Sequence, residues 1–298
     1  MDWKLSLAGL LIGLLVGVTG MGGGSLMTPL LVLLFGFKPS VAIGTDIVHG
    51  AIFKSFGAVQ HRRLGHVHAR LTAWMLLGSA PFSIAGVALA WWLKREYGDG
   101  YESTAKAILG VALVICGAAF LVKAYLHSAP EDKPFLLTRR DRAIALATGC
   151  VGGFVVGLTS VGSGTLFGLV MLVAFPLTAA KIVGTDIFHA AILLTVAGAG
   201  HLVAGHVDLA ATGWLLVGSV PGVLLGGHFT VRLPDRALRI GLAATLTLAG
   251  VKLVDPPGAD AIVIGGASLA ALAAAVTFAR WLSGPAAAAT GSSRTAGR

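Results

Sequence analysis

Apolar stretches of about 20 residues follow one another along this chain with short polar breaks between them, the pattern of a helix that crosses a hydrocarbon layer roughly 30 Å thick many times. Such segments are predicted at about 40–60, 71–93 and 104–126, and again at about 180–203, 209–231, 237–254 and 259–282. Two other runs, GLLVGVTGMGGGSLMTPLLVLLFG at 13–36 and GFVVGLTSVGSGTLFGLVMLVAFP at 153–176, carry glycines in their middles. A glycine inside a helix costs about 1 kcal/mol relative to alanine, so repeated glycines at membrane depth mark an interruption. A broken membrane helix frees backbone groups that must meet protein, water or a ligand. The breaks are therefore the first candidates for a binding site.

Shifting the chain by 140 residues aligns its halves without a gap from Gly13 and Gly153 to Gly86 and Gly226, with roughly a third of positions identical. The chain holds an internal duplication. Both copies keep Thr19/Thr159, Gly22/Gly162, Gly24/Gly164, a hydroxyl at Ser25/Thr165, the block GTDI-x-H at 44–49 and 184–189, His61/His201, GHV at 65 and 205, Trp74/Trp214, and GS-x-P at 78–81 and 218–221. The apolar positions around them have drifted, so these residues are under a constraint that the apolar ones escape.

Each broken run is too long for one straight span, since about 32 residues at 1.5 Å each would extend near 48 Å. Split into two short pieces, as a re-entrant hairpin or as two crossings, it returns the chain to its starting side. Three further helices then give each half an odd count. The predicted fold is an all-α polytopic membrane protein of two inverted repeats, each a glycine-broken helical hairpin plus three transmembrane helices, with one extra C-terminal helix. Repeat 1 covers 1–126, a cytoplasmic connecting loop 127–142, repeat 2 143–254, the extra helix 255–283 after Pro256 and Pro257, and a low-complexity disordered tail 284–298.

Charge orients this arrangement. Inversion collects Arg62, Arg63, Arg70, Lys123, Lys133, Arg139, Arg140, Arg142, Lys181, Arg232, Arg236, Arg239 and Arg280 on one face, and leaves Lys4, Lys38, Lys94, Arg95, Lys106 and Lys252 on the other. The positive-inside rule then puts the N-terminus outside and the C-terminus in the cytoplasm. The loop HRRLGHV of copy one becomes HLVAGHV in copy two, without arginines, as expected of a loop facing outside.

Composition agrees on the class. Of 298 residues 56% are hydrophobic and 12% charged, with mean hydropathy +0.86, against about 25% charged in soluble proteins. The net charge of +9 lies in short loops and the tail without interleaved aromatics, so it implies membrane orientation and no nucleic acid. Residues 5–20 are not a cleaved signal peptide, because further apolar runs follow directly. Cys116 and Cys150 form no CxxC and read as small buried hydrophobes, with no disulfide, metal site or cofactor implied.

At such breaks, half-helix N-termini direct free N–H groups and positive dipole ends at an anion. The candidate substrate-binding residues are Thr19, Gly22, Gly23, Gly24 and Ser25 from the first break, and Thr159, Gly162, Ser163, Gly164 and Thr165 from the second. The competing reading is that the glycines serve close helix packing. Thr45, Asp46 and His49, with Thr185, Asp186 and His189, are candidates for coupling or gating. Aspartate and histidine three residues apart share a helix face and could exchange a proton. Alternatively, Thr45 and Asp46 cap a helix start while His49 bonds backbone freed by the break. Lys54, opposite Leu194 in copy two, is expected to snorkel to the interface, or at depth to attract anions. His61, His66 and His68 read as a solvated basic loop. Pro81 and Pro221 are expected to kink their helices and assist gating.

These residues resemble the TauE/SafE family of sulfite exporters, also described as the 4-toluene sulfonate uptake permease family. The resemblance rests on GVTGMGGGSLMTP, on GTD-x-x-H and on the repeated GS-x-P, and covers almost the whole chain. It implies a bacterial or archaeal inner-membrane protein that moves a small sulfur-containing anion such as sulfite, thiosulfate or an organosulfonate. No GxxxxGK[ST] motif is present, so transport would be secondary, with protons as a candidate coupling ion, or channel-like. An intramembrane hydrolase using Ser160 or Ser163 with His189 is a remote alternative: Gly20 and Gly23 stand at the equivalent serine positions, and neither GxSxG nor HExxH occurs. The expected partners are the anion and membrane lipid.

Overall fold

The computed structural model describes residues 2–19, 24–126, 135–229 and 235–268. The first break separates α1 (Trp3–Thr19) from α2 (Gly24–Leu33), and α3 (Pro39–Arg63), α4 (Ala69–Tyr97) and α5 (Gly100–Tyr125) complete that half. The second break separates α6 (Arg139–Thr159) from α7 (Leu166–Ala174), followed by α8 (Ala179–Val203), α9 (Leu209–Phe229) and α10 (Asp235–Val254). An apolar helix, Ala259–Ser268, begins the extra C-terminal segment. Gly22, Gly23, loop residues 127–134, and the chain after 268 with its tail 284–298 lie outside the described residues; Thr19 and Gly24 are described as helix ends without their surroundings.

The described chain is all-helical. α4, α5, α6 and α8 are each long and apolar enough to cross a membrane. Large apolar side chains such as Leu11, Ile84, Val111, Ile115, Val151 and Val217 point outward, as lipid-facing residues do. The protein is a polytopic membrane protein.

Local chemistry sets the helix ends. α6 begins at Arg139, inside the stretch read as the connecting loop, because Thr138 and Asp141 form a capping box: the Asp141 N–H donates to Thr138 Oγ1 at 3.2 Å and the Thr138 N–H to Asp141 Oδ2 at 2.8 Å. α3 and α8 both stop on H-x-x-x-G-H. Gly65 and Gly205 take φ +72° and +69°, and the His66 and His206 N–H groups donate to the His61 and His201 carbonyls, each at 3.0 Å. This is a Schellman ending, which brings the two histidine rings of each motif to 5.7 Å. His68 in turn accepts from the Leu71 N–H at the start of α4. These histidines end and start helices, which corrects the solvated-loop expectation.

The halves pack by exchange. α1 lies against α9 and, at the aligned positions, α6 lies against α4. Glycines bring the backbones together: Gly149, Gly153 and Gly157 face Met75, Ser79 and Ser83, while Gly9 and Gly13 face Leu215 and Ser219. Contact advances in the same sense on both helices, so each of these pairs runs parallel. In lipid, where apolar burial supplies little drive, such close approach gains dispersion energy and holds the bundle. Two further close pairs join a helix to its own counterpart. Gly110 meets Gly250 and Gly117 meets Thr247, so α5 and α10 are antiparallel, as are α3 and α8 through Gly50 with Leu194 and Gly57 with Ile187.

One polar tie belongs to the first half alone. Glu102 of α5 accepts from the Ser40 hydroxyl at 2.6 Å and faces Lys94 at 3.6 Å, whereas the position of copy two aligned with Ser40 is Ala180. Nearby, a hydrogen bond to the Asp99 carboxylate raises the Lys38 ammonium above the usual lysine range. That pair is exposed and adds little stability.

Candidate functional site

The second break shows how the chain interrupts itself. The Thr159 hydroxyl donates to the Val155 carbonyl at 2.7 Å and accepts from the Val161 N–H at 3.2 Å, so it closes its own helix end. Ser160 is left-handed at φ 64°, and Gly162 and Gly164 follow at φ 109° and 101°. A Cβ at either glycine would be strained.

At the start of α2, Ser25 meets Thr165 at the start of α7, with hydroxyl oxygens 3.5 Å apart. These are aligned residues of the two copies, so the breaks touch where the halves exchange. Thr165 also donates to Cys116 Sγ at 3.2 Å, which packs this buried cysteine against the junction.

Charged side chains reach the junction from α3, α5 and α8. Asp46 Oδ2 accepts from Thr28 at 2.5 Å and from Ser160 at 2.8 Å, joining α3 to α2 and to the second break. Oδ1 of Asp46 and Oδ1 of Asp186 are both buried without a hydrogen-bond partner. Lys54 is 2% exposed and donates to Ser163 Oγ at 2.8 Å. The snorkelling expectation is therefore corrected: Ser163 and the nearby Asp46 and Asp186 carboxylates offset the cost of holding the ammonium at depth. Lys123, read from sequence as a loop charge, is likewise buried, with its ammonium beside Gly168 and acting on Asp186.

The histidines are held from the opposite half. His49 Nε2 pairs with Ser219 Oγ at 2.8 Å, and His189 Nε2 with Ser79 Oγ at 2.9 Å. Both serines come from GS-x-P and precede Pro221 and Pro81, which lie inside α9 and α4. Sharing a helix face thus does not make Asp46 and His49 a hydrogen-bonded pair. Nor is His189 bonded to Ser160 or Ser163, as the hydrolase alternative requires. Thr45 and Thr185 lie within α3 and α8, not at their starts. Thr45 accepts from the Asp208 N–H at 3.0 Å and Thr185 from the His68 N–H at 2.9 Å, so each caps the incoming helix of the other half.

Of the predicted residues, the structure thus brings together Ser25, Ser163, Gly164, Thr165, Asp46 and Asp186. It sets Thr159, Thr45, Thr185, His49, His189 and the two prolines in the surrounding framework. Thr28, Ser79, Ser219 and Lys123 were not anticipated. The two serines had a signal in the repeated GS-x-P, whereas Thr28 is opposite Gly168 and Lys123 lies beyond the aligned stretch, so comparing the copies could not find them. Among the described residues, no group of histidine, cysteine, aspartate and glutamate is arranged to hold a metal ion.

Two broken helices meeting inside a polytopic helical bundle, with hydroxyls and an ammonium sealed at their junction, is an arrangement suited to carrying a polar solute through lipid. The protein is a multi-pass membrane transporter. Residues 5–253 match the family described as sulfite exporter TauE/SafE, and the chain belongs to that family. It is similar to three proteins of Bacillus subtilis (strain 168). "Probable membrane transporter protein YjnA" is 38% identical over 256 residues, covering 85% of this chain and 100% of that protein. "Probable membrane transporter protein YdhB" is 26% identical, covering 82% and 96%. "Probable membrane transporter protein YunE" is 21% identical, covering 84% and 96%. No solved structure gives a significant match.

Proposed function

We propose that this protein is a secondary transporter of a small sulfur-containing anion, sulfite, thiosulfate or an organosulfonate, working by alternating access in a bacterial or archaeal cytoplasmic membrane. The observation that carries the anion reading is Lys54. A buried ammonium has three N–H donors, and among the described residues this one has a single hydrogen bond, to Ser163. An oxyanion placed against Lys54, Ser163, Ser25 and Thr165 would use the remaining donors in surroundings where charge-assisted bonds are strong.

Inverted halves are supported by the antiparallel packing of α3 with α8 and of α5 with α10, since a helix that opposes its own counterpart crosses the membrane in the other sense. With the basic loops cytoplasmic, the N-terminus lies outside and the C-terminus inside. Ser25, Ser163, Thr165 and Lys54 are all buried. That favours an occluded state of a carrier over the open path of a passive channel.

The placement is tested by substituting Ser25→Ala with Thr165→Val. Each lost hydrogen bond is worth about 1 kcal/mol, so anion binding by the purified protein should weaken roughly tenfold to hundredfold for the pair, with the thermal midpoint measured in parallel. Unchanged affinity in a folded double variant would place the anion elsewhere.

A further inference from the structure

The duplicated halves treat their aspartates differently. Around Asp46, Thr28 and Ser160 donate hydroxyls to Oδ2, while Oδ1 is buried without a donor. The positions aligned with those hydroxyls are Gly168 and Gly20, so Asp186 has neither. In the space that Gly168 leaves open stands Lys123: a Cβ built on Gly168 would lie 2.6 Å from the Lys123 Nζ. Lys123 and Lys54 both act on Asp186, whereas Lys54 is the ammonium acting on Asp46. The second half thus has a cation fixed to the chain where the first half has two neutral hydroxyls.

We infer that Asp46 is the residue that takes up and releases the coupling proton, and that Lys123 is a tethered counter-charge that spares Asp186 that role. The inference rests on the proposed binding of an anion at Lys54. Without the anion, Lys54 is shared by the two carboxylates. When Lys54 turns its donors to an anion, Asp46 loses its charge partner while Asp186 keeps Lys123. A buried carboxylate without a partner is strongly disfavoured, so a proton from the accessible side adds to Oδ1, the oxygen that no donor occupies. Asp46 is then neutral, and the loaded site carries the anion with one proton. By linkage the proton tightens anion binding by the same factor as the anion tightens proton binding.

The groups around Asp46 that compete with it for a proton are Asp186, whose Oδ1 also lacks a partner, and His189, whose Nδ1 does. The helix of Asp46 itself brings His49, bonded to Ser219, and Lys54. α8 brings Asp186 and His189, the latter bonded to Ser79, and α5 brings Lys123 and Cys116. The loop entering α9 brings His206 against Gly44 and Asp208 against Thr45, with the Asp208 carboxylate accepting from the Ala211 N–H. α2 and the second break contribute the Thr28 and Ser160 hydroxyls already named. Both coupling candidates of histidine type therefore have their Nε2 held by a serine of the opposite half.

Thiosulfate is the appropriate probe because its own charge does not change across the neutral range. Calorimetry of thiosulfate binding to the purified wild-type protein, in two buffers of different ionisation enthalpy, should show uptake of about one proton per anion. Asp46→Asn should abolish this uptake and flatten the pH dependence of the dissociation constant from tenfold per pH unit to less than twofold. Asp46→Glu, which keeps a titratable oxygen, should restore uptake, and Lys123→Met combined with Asp186→Asn should still take up a proton. Thiosulfate binding by wild type without proton uptake, with a sodium requirement, or with uptake that persists in Asp46→Asn would overturn the assignment. Absence of both thiosulfate and sulfite binding by folded wild type would instead overturn the anion reading, and this assignment with it. Should Asp46→Asn fail to fold, the wild-type proton count and the Asp46→Glu comparison still decide the question.

Discussion

Lys54→Met should weaken anion binding by at least about thirtyfold, the effect of losing ~2 kcal/mol from a buried charged contact. Methionine matches the length of the lysine stem, so the packing of the stem is largely kept while the ammonium is lost. Two losses follow. The anion loses its charged partner, and Asp46 and Asp186 lose a cation that faces them both. The empty protein should therefore also be destabilised, with a lower thermal midpoint, and a neutral solute should gain no advantage from the change. Equilibrium binding and thermal unfolding, measured on the same preparation, separate these effects. Wild-type affinity in folded Lys54→Met would remove the charged ligand from the site.

Gly153→Leu should prevent assembly of the two halves. A Cβ at Gly153 would run into the backbone of Ser79, and backbone cannot swing aside as a side-chain tip can. α4 and α6 would have to separate along their whole contact, which also displaces Ser79 from His189. The loss is expected to exceed ~3 kcal/mol, beyond ordinary overpacking, and to appear as aggregation after extraction. Gly213→Ala is the comparison: a Cβ there meets nothing within 4 Å, and alanine should stabilise α9 by about 0.5–1 kcal/mol. Equal monodisperse yields from the two variants would contradict the packing described for α4 and α6.

The sequence was most informative where duplication compares like with like. Gly13 and Gly153 and the breaks themselves stand out because both copies kept them, and the structure uses the two glycines at backbone contacts and those of the second break at positive φ. The aligned hydroxyls Ser25 and Thr165 stood out for the same reason, and they meet. Comparison says nothing about a residue present once. Lys54 and Lys123 are long enough to reach an interface from within a helix, so sequence alone favoured solvent for both; their depth is decided by Ser163, Gly168 and the aspartates, which come from other helices. Helical spacing likewise paired Asp46 with His49 on one face. The actual partner of His49 is Ser219, 170 residues away, a contact that exists because α1 and α9, and α4 and α6, exchange between the halves.

The most direct test of the account is uptake of labelled sulfite, thiosulfate and a small organosulfonate into proteoliposomes holding wild type or Lys54→Met, with and without an imposed pH gradient. The account predicts saturable uptake of at least one of these anions by wild type, increased by an inward proton gradient and lost in Lys54→Met. No saturable uptake of any of the three by folded wild-type protein would contradict it, and the paired breaks would then have to be read as packing devices.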